Sequence, residues 1–404
     1  MASLMCLCWL CLSACSVAPD PVGVWRGTVK NPSGELVAFA LEIKRDGDQL
    51  TGELINDNER LAASSVSLTG DVLKLRYDYY DGALEARIQG NELTGKFARQ
   101  WNKQTLDRAL TARRNAPAPD ATAKEPDLTG DWILKVGVGD KQRLWRAAFQ
   151  TTGQAAAGTI IPVTGDWGQL SGTWMNGALA LHRFDGINSR VMRLQAQADG
   201  TLAGELDLGL LDPKRPVIAE RISEANKTLV ASLPEPKSYT RMKNPNEPFR
   251  FSAADLNGQT VAWDDARFKN KVVVVSITGS WCPNCHEETP YLQSLYAKYK
   301  EQGLEVVALA FEYTGAAARD RAQVKIFAQR HGVQYPMLWA GATDEANQKL
   351  DQLVNFGAYP TAVYIGRDGL VKHIHAGFEG RATGARFTAL KTEIETLIQQ
   401  LLEP

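Results

Sequence analysis

Hydrophobic and polar positions follow two different rhythms along this 404-residue chain. Residues 22–113 carry short runs that often alternate apolar with polar. Turn signals break them at Gly34-Glu35, Arg45-Asp46-Gly47-Asp48, Asp81-Gly82 and Gly90-Asn91. Alternation at period two marks half-buried strands, and regular breaks mark the hairpins of an antiparallel barrel or sandwich. About eight strands fit this stretch. Residues 128–225 retrace the same pattern. Gly23-Val24-Trp25 recurs as Gly130-Asp131-Trp132, Leu68-Thr69-Gly70 as Leu170-Ser171-Gly172, and Tyr80-Asp81-Gly82 as Phe184-Asp185-Gly186. A repeat this long means a duplicated domain rather than a solenoid. Trp25 and Trp132 are expected to plug the ends of their barrels, because small eight-stranded barrels are filled by side chains.

From residue 249 to 404 the rhythm changes. Apolar, β-branched runs at Lys271–Thr278, Leu304–Phe311 and Tyr335–Trp339 alternate with helical patterns at Pro290–Gln302, Ala316–His331, Thr343–Val354 and Ala385–Leu402. Thr361–Ile365 and Leu370–Ile374 flank Arg367-Asp368-Gly369, a hairpin signal. Such alternation predicts an α/β sheet with helices on both faces. Two proline-rich connectors separate the blocks, Arg114–Asp127 and residues 226–248, and neither is expected to hold a stable element. The expected architecture is therefore two duplicated antiparallel β barrel or sandwich domains followed by an α/β domain.

Net charge is −1, from 45 basic and 46 acidic residues, with no basic stripe, so nucleic acid is not an expected partner. The first fourteen residues read as a signal peptide with an apolar run from Leu4 to Leu12. Cysteine usage sharpens the picture. Four of six cysteines lie in the first fifteen residues, and the others are Cys282 and Cys285 in Trp281-Cys282-Pro283-Asn284-Cys285. A C-x-x-C pair lets one thiol attack a disulfide and the other resolve the mixed disulfide. In an exported chain such a lone pair points to redox chemistry. No second pair accompanies it, so neither a metal nor any other cofactor is expected.

Placement suggests the roles. The pair follows a strand and opens a helical pattern, and the crevice of an open α/β sheet lies off the carboxyl ends of its strands. Cys282 at a helix N-terminus would gain thiolate stabilisation from free amides and the helix dipole. Cys285 lies one turn in, nearer the buried face. Cys282 is therefore the expected nucleophile and Cys285 the resolving thiol, joined as Cys282–Cys285 when oxidised. Pro283 suits the first turn of a helix. Trp281 would shield the thiol and offer an apolar contact. Glu312 ends the strand from Leu304, on the sheet edge that also carries Cys282, and a partly buried carboxyl there could move a proton during exchange.

Gly279 through Pro290, reading GSWCPNCHEETP, resembles the active-site segment of the TlpA/ResA-type thiol–disulfide oxidoreductases, envelope members of the thioredoxin-fold superfamily. Gly357-Ala358-Tyr359-Pro360-Thr361 is similar to that family's cis-proline loop. The resemblance covers roughly residues 249–402 and leaves out both β domains. It implies a cis bond before Pro360, a Tyr359 backbone free to pair with substrate, and an acid near the resolving cysteine. It also implies protein disulfides as substrates, a reductase direction, and a membrane electron donor that re-reduces the pair. Leu12-Ser13-Ala14-Cys15 resembles a bacterial lipobox, which implies a lipid on Cys15 and an envelope, periplasm-facing site. Ser16 after it favours the outer membrane in a Gram-negative host. Two other readings stay open. One is a thiol peroxidase, although Gly279 stands where peroxiredoxins place a Thr. The other makes the β domains a surface binding module with the redox domain as accessory.

Overall fold

The computed structural model describes residues 19–101, 104–209 and 213–403; the leader and Cys15 lie outside them. Nine strands from Gly23 to Arg114 form one curved antiparallel sheet. Its two edge strands, Glu59–Ala62 and Ser65–Thr69, follow one another in the chain yet do not pair. The eight strands from Gly130 to Arg221 close completely, with Gly130–Val136 pairing to Arg215–Arg221. Of the two antiparallel barrel or sandwich units expected, the second is a closed barrel and the first an open nine-stranded sheet. The cause is local. After Asp57, in the left-handed region at φ 53°, Glu59–Ala62 doubles back on Gln49–Asn56 and takes the edge hydrogen bonds that closure would need. In the second unit the corresponding stretch, Pro162–Gln169, forms no strand, so Ala155–Gly158 pairs directly with Leu170–Thr173.

Matching contacts underlie the sequence repeat. The Trp25 indole donates to the Pro21 carbonyl at 2.9 Å, and the Trp132 indole to the Leu128 carbonyl at 3.0 Å. The Arg114 guanidinium covers the first ring at 4.7 Å, and Arg221 covers the second at 4.9 Å. Both indoles are buried in the cores of their units. We predict that Trp132→Ala destabilises the barrel by roughly 3–5 kcal/mol, the usual cost of emptying a large aromatic site. Urea denaturation followed by tryptophan fluorescence measures this, and an unchanged midpoint would refute the packing role.

The C-terminal sheet has seven strands. Side by side they run Thr260–Ala262, Ser252–Asp255, Met337–Ala342, Leu304–Glu312, Val272–Thr278, Thr361–Ile365 and Val371–Ala376. Val272–Thr278 is parallel to Leu304–Glu312 and antiparallel to Thr361–Ile365. Every residue of Val272–Thr278 is buried, as expected for a strand covered on both faces. Val272 and Val274 meet the helices Pro283–Tyr299, Ala317–Arg330 and Ala385–Leu402. Val273, Val275 and Ile277 meet Phe249, Phe251, Phe268 and Leu350 instead.

The second face is thus covered mostly by irregular chain, which corrects the expectation of helices on both. The helix expected over Thr343–Val354 shrinks to the single turn Ala346–Lys349 behind a 3-10 turn, Thr343–Glu345. Leu353–Val354 leaves it to pair with Arg241–Met242, so a non-local strand pair overrides helical propensity. The connector expected to be featureless therefore contributes a strand, and it also holds the short helices Lys227–Ala231 and Pro236–Tyr239.

Candidate active site

The helix Pro283–Tyr299 starts at Cys282, which occupies its N-cap, and Pro283 fills the first helical position. The Cys285 amide donates to the Cys282 sulfur at 3.2 Å, and the Cys282 thiol donates to the Tyr359 carbonyl at 3.2 Å. Both thiols are free, so this is the dithiol form. Cys282 is only 3% exposed and Cys285 is fully buried. Burial pushes the Cys285 thiol well above its ordinary pKa, and the adjacent Cys282 adds to that rise. The Tyr359–Pro360 bond is cis. The Trp281 indole donates to the Phe311 carbonyl at 2.9 Å, and its ring lies 5.1 Å from that of Tyr359.

Glu312 is buried at the end of its strand. It accepts the Ser280 amide at 2.8 Å and the Ser280 hydroxyl at 2.7 Å. It therefore braces the turn that leads into Cys282. Burial pushes its pKa up to about 7, against the lowering effect of those two bonds. The carboxyl whose charge raises the Cys285 thiol is a different one, Glu288. Glu288 sits one turn after Cys285 on the same helix, buried, and accepts the Ser276 hydroxyl at 2.7 Å. Burial takes it to about 7 as well. The i, i+3 spacing from Cys285 was visible in the sequence, but nothing local showed that this face turns inward.

The β domains close over the pair. Asn284, between the two thiols, donates to the Asp166 and Phe378 carbonyls, both at 2.9 Å. Asp166 belongs to the barrel loop that precedes Leu170. Gly165 in that loop has φ 101°, and a Cβ there would lie 2.7 Å from the Asn284 amide nitrogen, so only glycine lets the loop seat this closely. Asp166 itself accepts the Gly168 and Gly380 amides, and burial pushes its pKa up to about 7.

On the other side, the Asp78–Asp81 turn of the first sheet docks on the helix Ala317–Arg330. Arg319 pairs with Asp81, Gln323 donates to the Asp78 carbonyl at 2.7 Å, and Arg330 stacks on Tyr79 at 3.7 Å. Tyr80 lies 4.9 Å from His286, whose Nε2 contacts the Ser280 carbonyl at 2.8 Å. A carbonyl only accepts, so Nε2 carries the proton, and Nδ1 accepts from His331 at 2.8 Å. Trp101 of the first sheet stacks on Tyr313 at 4.1 Å, and Tyr313 on Trp281 at 4.3 Å. No sequence signal linked these loops to the dithiol, because each contact that the β-domain loops make with the redox domain crosses a domain boundary.

Comparison with known proteins places this geometry. The Redoxin family model matches residues 242–390. "Thiol-disulfide oxidoreductase ResA" of Bacillus thuringiensis is 34% identical over 131 residues, which covers 32% of this chain and 68% of that protein. The ResA protein of Geobacillus kaustophilus is 32% identical over 127 residues, covering 31% of this chain and 66% of its own. Among solved structures, a putative thiol:disulfide interchange protein DsbE from Chlorobium tepidum aligns over 40% of this chain and 100% of that one, at 22% identity and a TM-score of 0.33. On the sequence matches, this chain belongs to the ResA-type thiol–disulfide oxidoreductases of the thioredoxin-fold superfamily, and it is an enzyme of that class.

Proposed function

We propose that the chain reduces disulfides through the Cys282–Cys285 dithiol, and that it does so in the cell envelope. The observation that carries this is the paired geometry. Cys282 caps a helix and lines a cavity, and Cys285 sits directly behind it with its amide on the Cys282 sulfur. The Cys282 sulfur attacks the substrate disulfide and expels one thiolate. Cys285 then attacks Cys282, expels the second thiolate and leaves a Cys282–Cys285 disulfide. Burial disfavours a Cys285 thiolate, so its ionisation does nothing to stabilise the reduced state. That supports the reductase direction. We predict a dithiol potential below about −200 mV, and a value near about −120 mV, typical of a strong oxidant, would overturn the direction.

Cys285 must shed its proton before it attacks. Glu288 can accept it once ionised, so resolution of the mixed disulfide should quicken as pH rises through about 7. We predict that Glu288→Gln slows resolution roughly a hundredfold and removes that inflection. Glu312→Gln should also slow reduction at neutral pH, through the Ser280 turn. Stopped-flow release of the leaving thiolate reads both, and unchanged kinetics from about pH 5 to 9 would remove the carboxyl concerned from the mechanism.

Turnover needs a fresh pair of electrons each cycle. We propose a membrane-bound donor and a lipid on Cys15 that keeps the enzyme beside it, on the strength of the Leu12-Ser13-Ala14-Cys15 segment. Mass spectrometry of the N-terminal peptide tests the anchor, and an unmodified Cys15 in the mature protein would refute it. Protein disulfides remain the proposed substrates only where the reacting sulfurs can pass the β domains that cover Cys282.

A further inference from the structure

A cavity of about 710 Å³ lies over Cys282, between the two β domains and the redox domain. Its size falls within the range of small-molecule sites. Three arginines line it: Arg99 from the first sheet's strand Glu92–Trp101, Arg108 from Gln104–Arg114, and Arg190 from the barrel strand Ser189–Ala196. Arg99 and Arg108 are 4% and 3% exposed. None of the three forms a salt bridge with a described residue, although arginine is rarely buried without one. Arg108 donates to the Gly186 and Ile187 carbonyls, at 3.2 and 2.9 Å. Arg99 lies over Trp101 at 4.4 Å, and Arg190 over Trp167 at 4.3 Å. The buried Nε atoms of all three have no partner.

Asp166 is the one carboxylate among the described residues that line the cavity, and backbone amides occupy both of its oxygens. Asp185, the acid whose charge acts most strongly on Arg190, is bound to Arg183 at 2.9 Å. Burial pushes Arg108 down to about 9 and Arg190 to about 10, and Arg99 repels Arg108 further. All three are still cations at neutral pH. A buried cluster of like charges is costly until an anion joins it.

We infer that this cavity selects its substrate by charge, and that it takes small disulfides that bear carboxylates beside the reacting sulfurs. The inference rests on the exchange reading above and narrows its substrate class. Arginine suits the task because its planar fork matches a carboxylate in two parallel bonds. The aromatic walls hold the guanidinium planes in place and accept the apolar part of the ligand. The stoichiometry closes without another reagent. One RSSR takes two electrons from the dithiol, both thiol protons end on two RSH, and the protein keeps a Cys282–Cys285 disulfide.

The test uses the full-length protein, pre-reduced and freed of reductant, in single turnover. Three small disulfides of similar length serve as probes: dithiodipropionate, a dianion; bis(2-hydroxyethyl) disulfide, neutral; and cystamine, a dication. Each rate is divided by the rate of the same disulfide with free dithiothreitol, which removes intrinsic reactivity. We expect the dianion to be favoured over the neutral probe by roughly tenfold or more at low salt, the dication to be slowest, and the gap to shrink as salt rises. Arg99→Gln with Arg190→Gln should bring the dianion-to-neutral ratio towards one, and the matching Lys variants should keep part of it. The wild-type comparison stands even if a variant fails to fold. Equal normalised rates, or cystamine as the fastest, would overturn the inference while leaving the exchange reading intact. Reaction with an acidic peptide disulfide but not with the small dianion would also overturn it. Failure of all three probes and of the peptide disulfide to oxidise the dithiol would overturn both.

Discussion

Replacing Cys282 with Ser should abolish disulfide reduction, by roughly a thousandfold or more, as expected when a covalent nucleophile is lost. Replacing Cys285 with Ala should give a different failure. The first attack proceeds, but no thiol stands behind Cys282 to release the substrate, so mixed disulfides accumulate on Cys282. The difference follows from position. Cys282 lines the cavity and caps the helix, whereas Cys285 is fully buried and is not among the residues that line the cavity. Non-reducing mass spectrometry of the Cys285→Ala protein should recover adducts at one sulfur. Adducts on Cys285 in the Cys282→Ser protein, formed equally fast, would reverse the two roles. The trapped adducts also report which disulfides pass the β domains.

Stability should carry a second large signature. Glu288 and Glu312 have pKa values raised from 4.5 to about 7, and Asp166 from 3.8 to about 7. Between the unfolded and folded values the folded protein holds protons that the unfolded chain has lost. These groups therefore favour folding at low pH, and that contribution fades as pH rises through about 7. For a fully buried carboxyl moved this far, the change is roughly 3 kcal/mol. Histidines act in the opposite sense. His182, His331 and His375 are depressed to about 4, so their contribution grows as pH rises from there to the usual histidine value. The wild-type curve is thus a balance, and a variant isolates one term. Glu288→Gln keeps a group able to accept from Ser276 but cannot ionise. Its stability relative to wild type should climb by roughly 3 kcal/mol from about pH 5 to about pH 8. Chemical denaturation at several pH values measures the difference, and a flat one would show that Glu288 ionises freely in the folded protein.

Much of the α/β domain was legible because its signals are local. The buried run before Cys282 is Val272–Thr278, and the last helix is Ala385–Leu402, as its pattern indicates. The Thr343–Val354 segment was misread because its helical pattern is opposed by a strand partner more than a hundred residues earlier, at Arg241–Met242. The antiparallel character of the first unit is legible as a barrel or sandwich, but whether it closes hangs on one short strand, Glu59–Ala62, which competes for a single edge. Glu312 was visible as a strand-end acid. Glu288 was not, because its environment is made by Ser276 on the neighbouring strand rather than by its own helix.

The sequence by itself determined the chemistry. A lone C-x-x-C between a strand and a helix allows few reactions, and its placement at the helix start already sets the expected attacker before the expected resolver. Only the tertiary structure decided what reaches them. Arg99, Arg108 and Arg190 come from three strands of two domains and carry no motif, yet they share one cavity wall over Cys282. Periodicity records which face of a strand is buried, not which distant face it meets, so a cavity wall assembled across domains leaves no trace until the chain is folded.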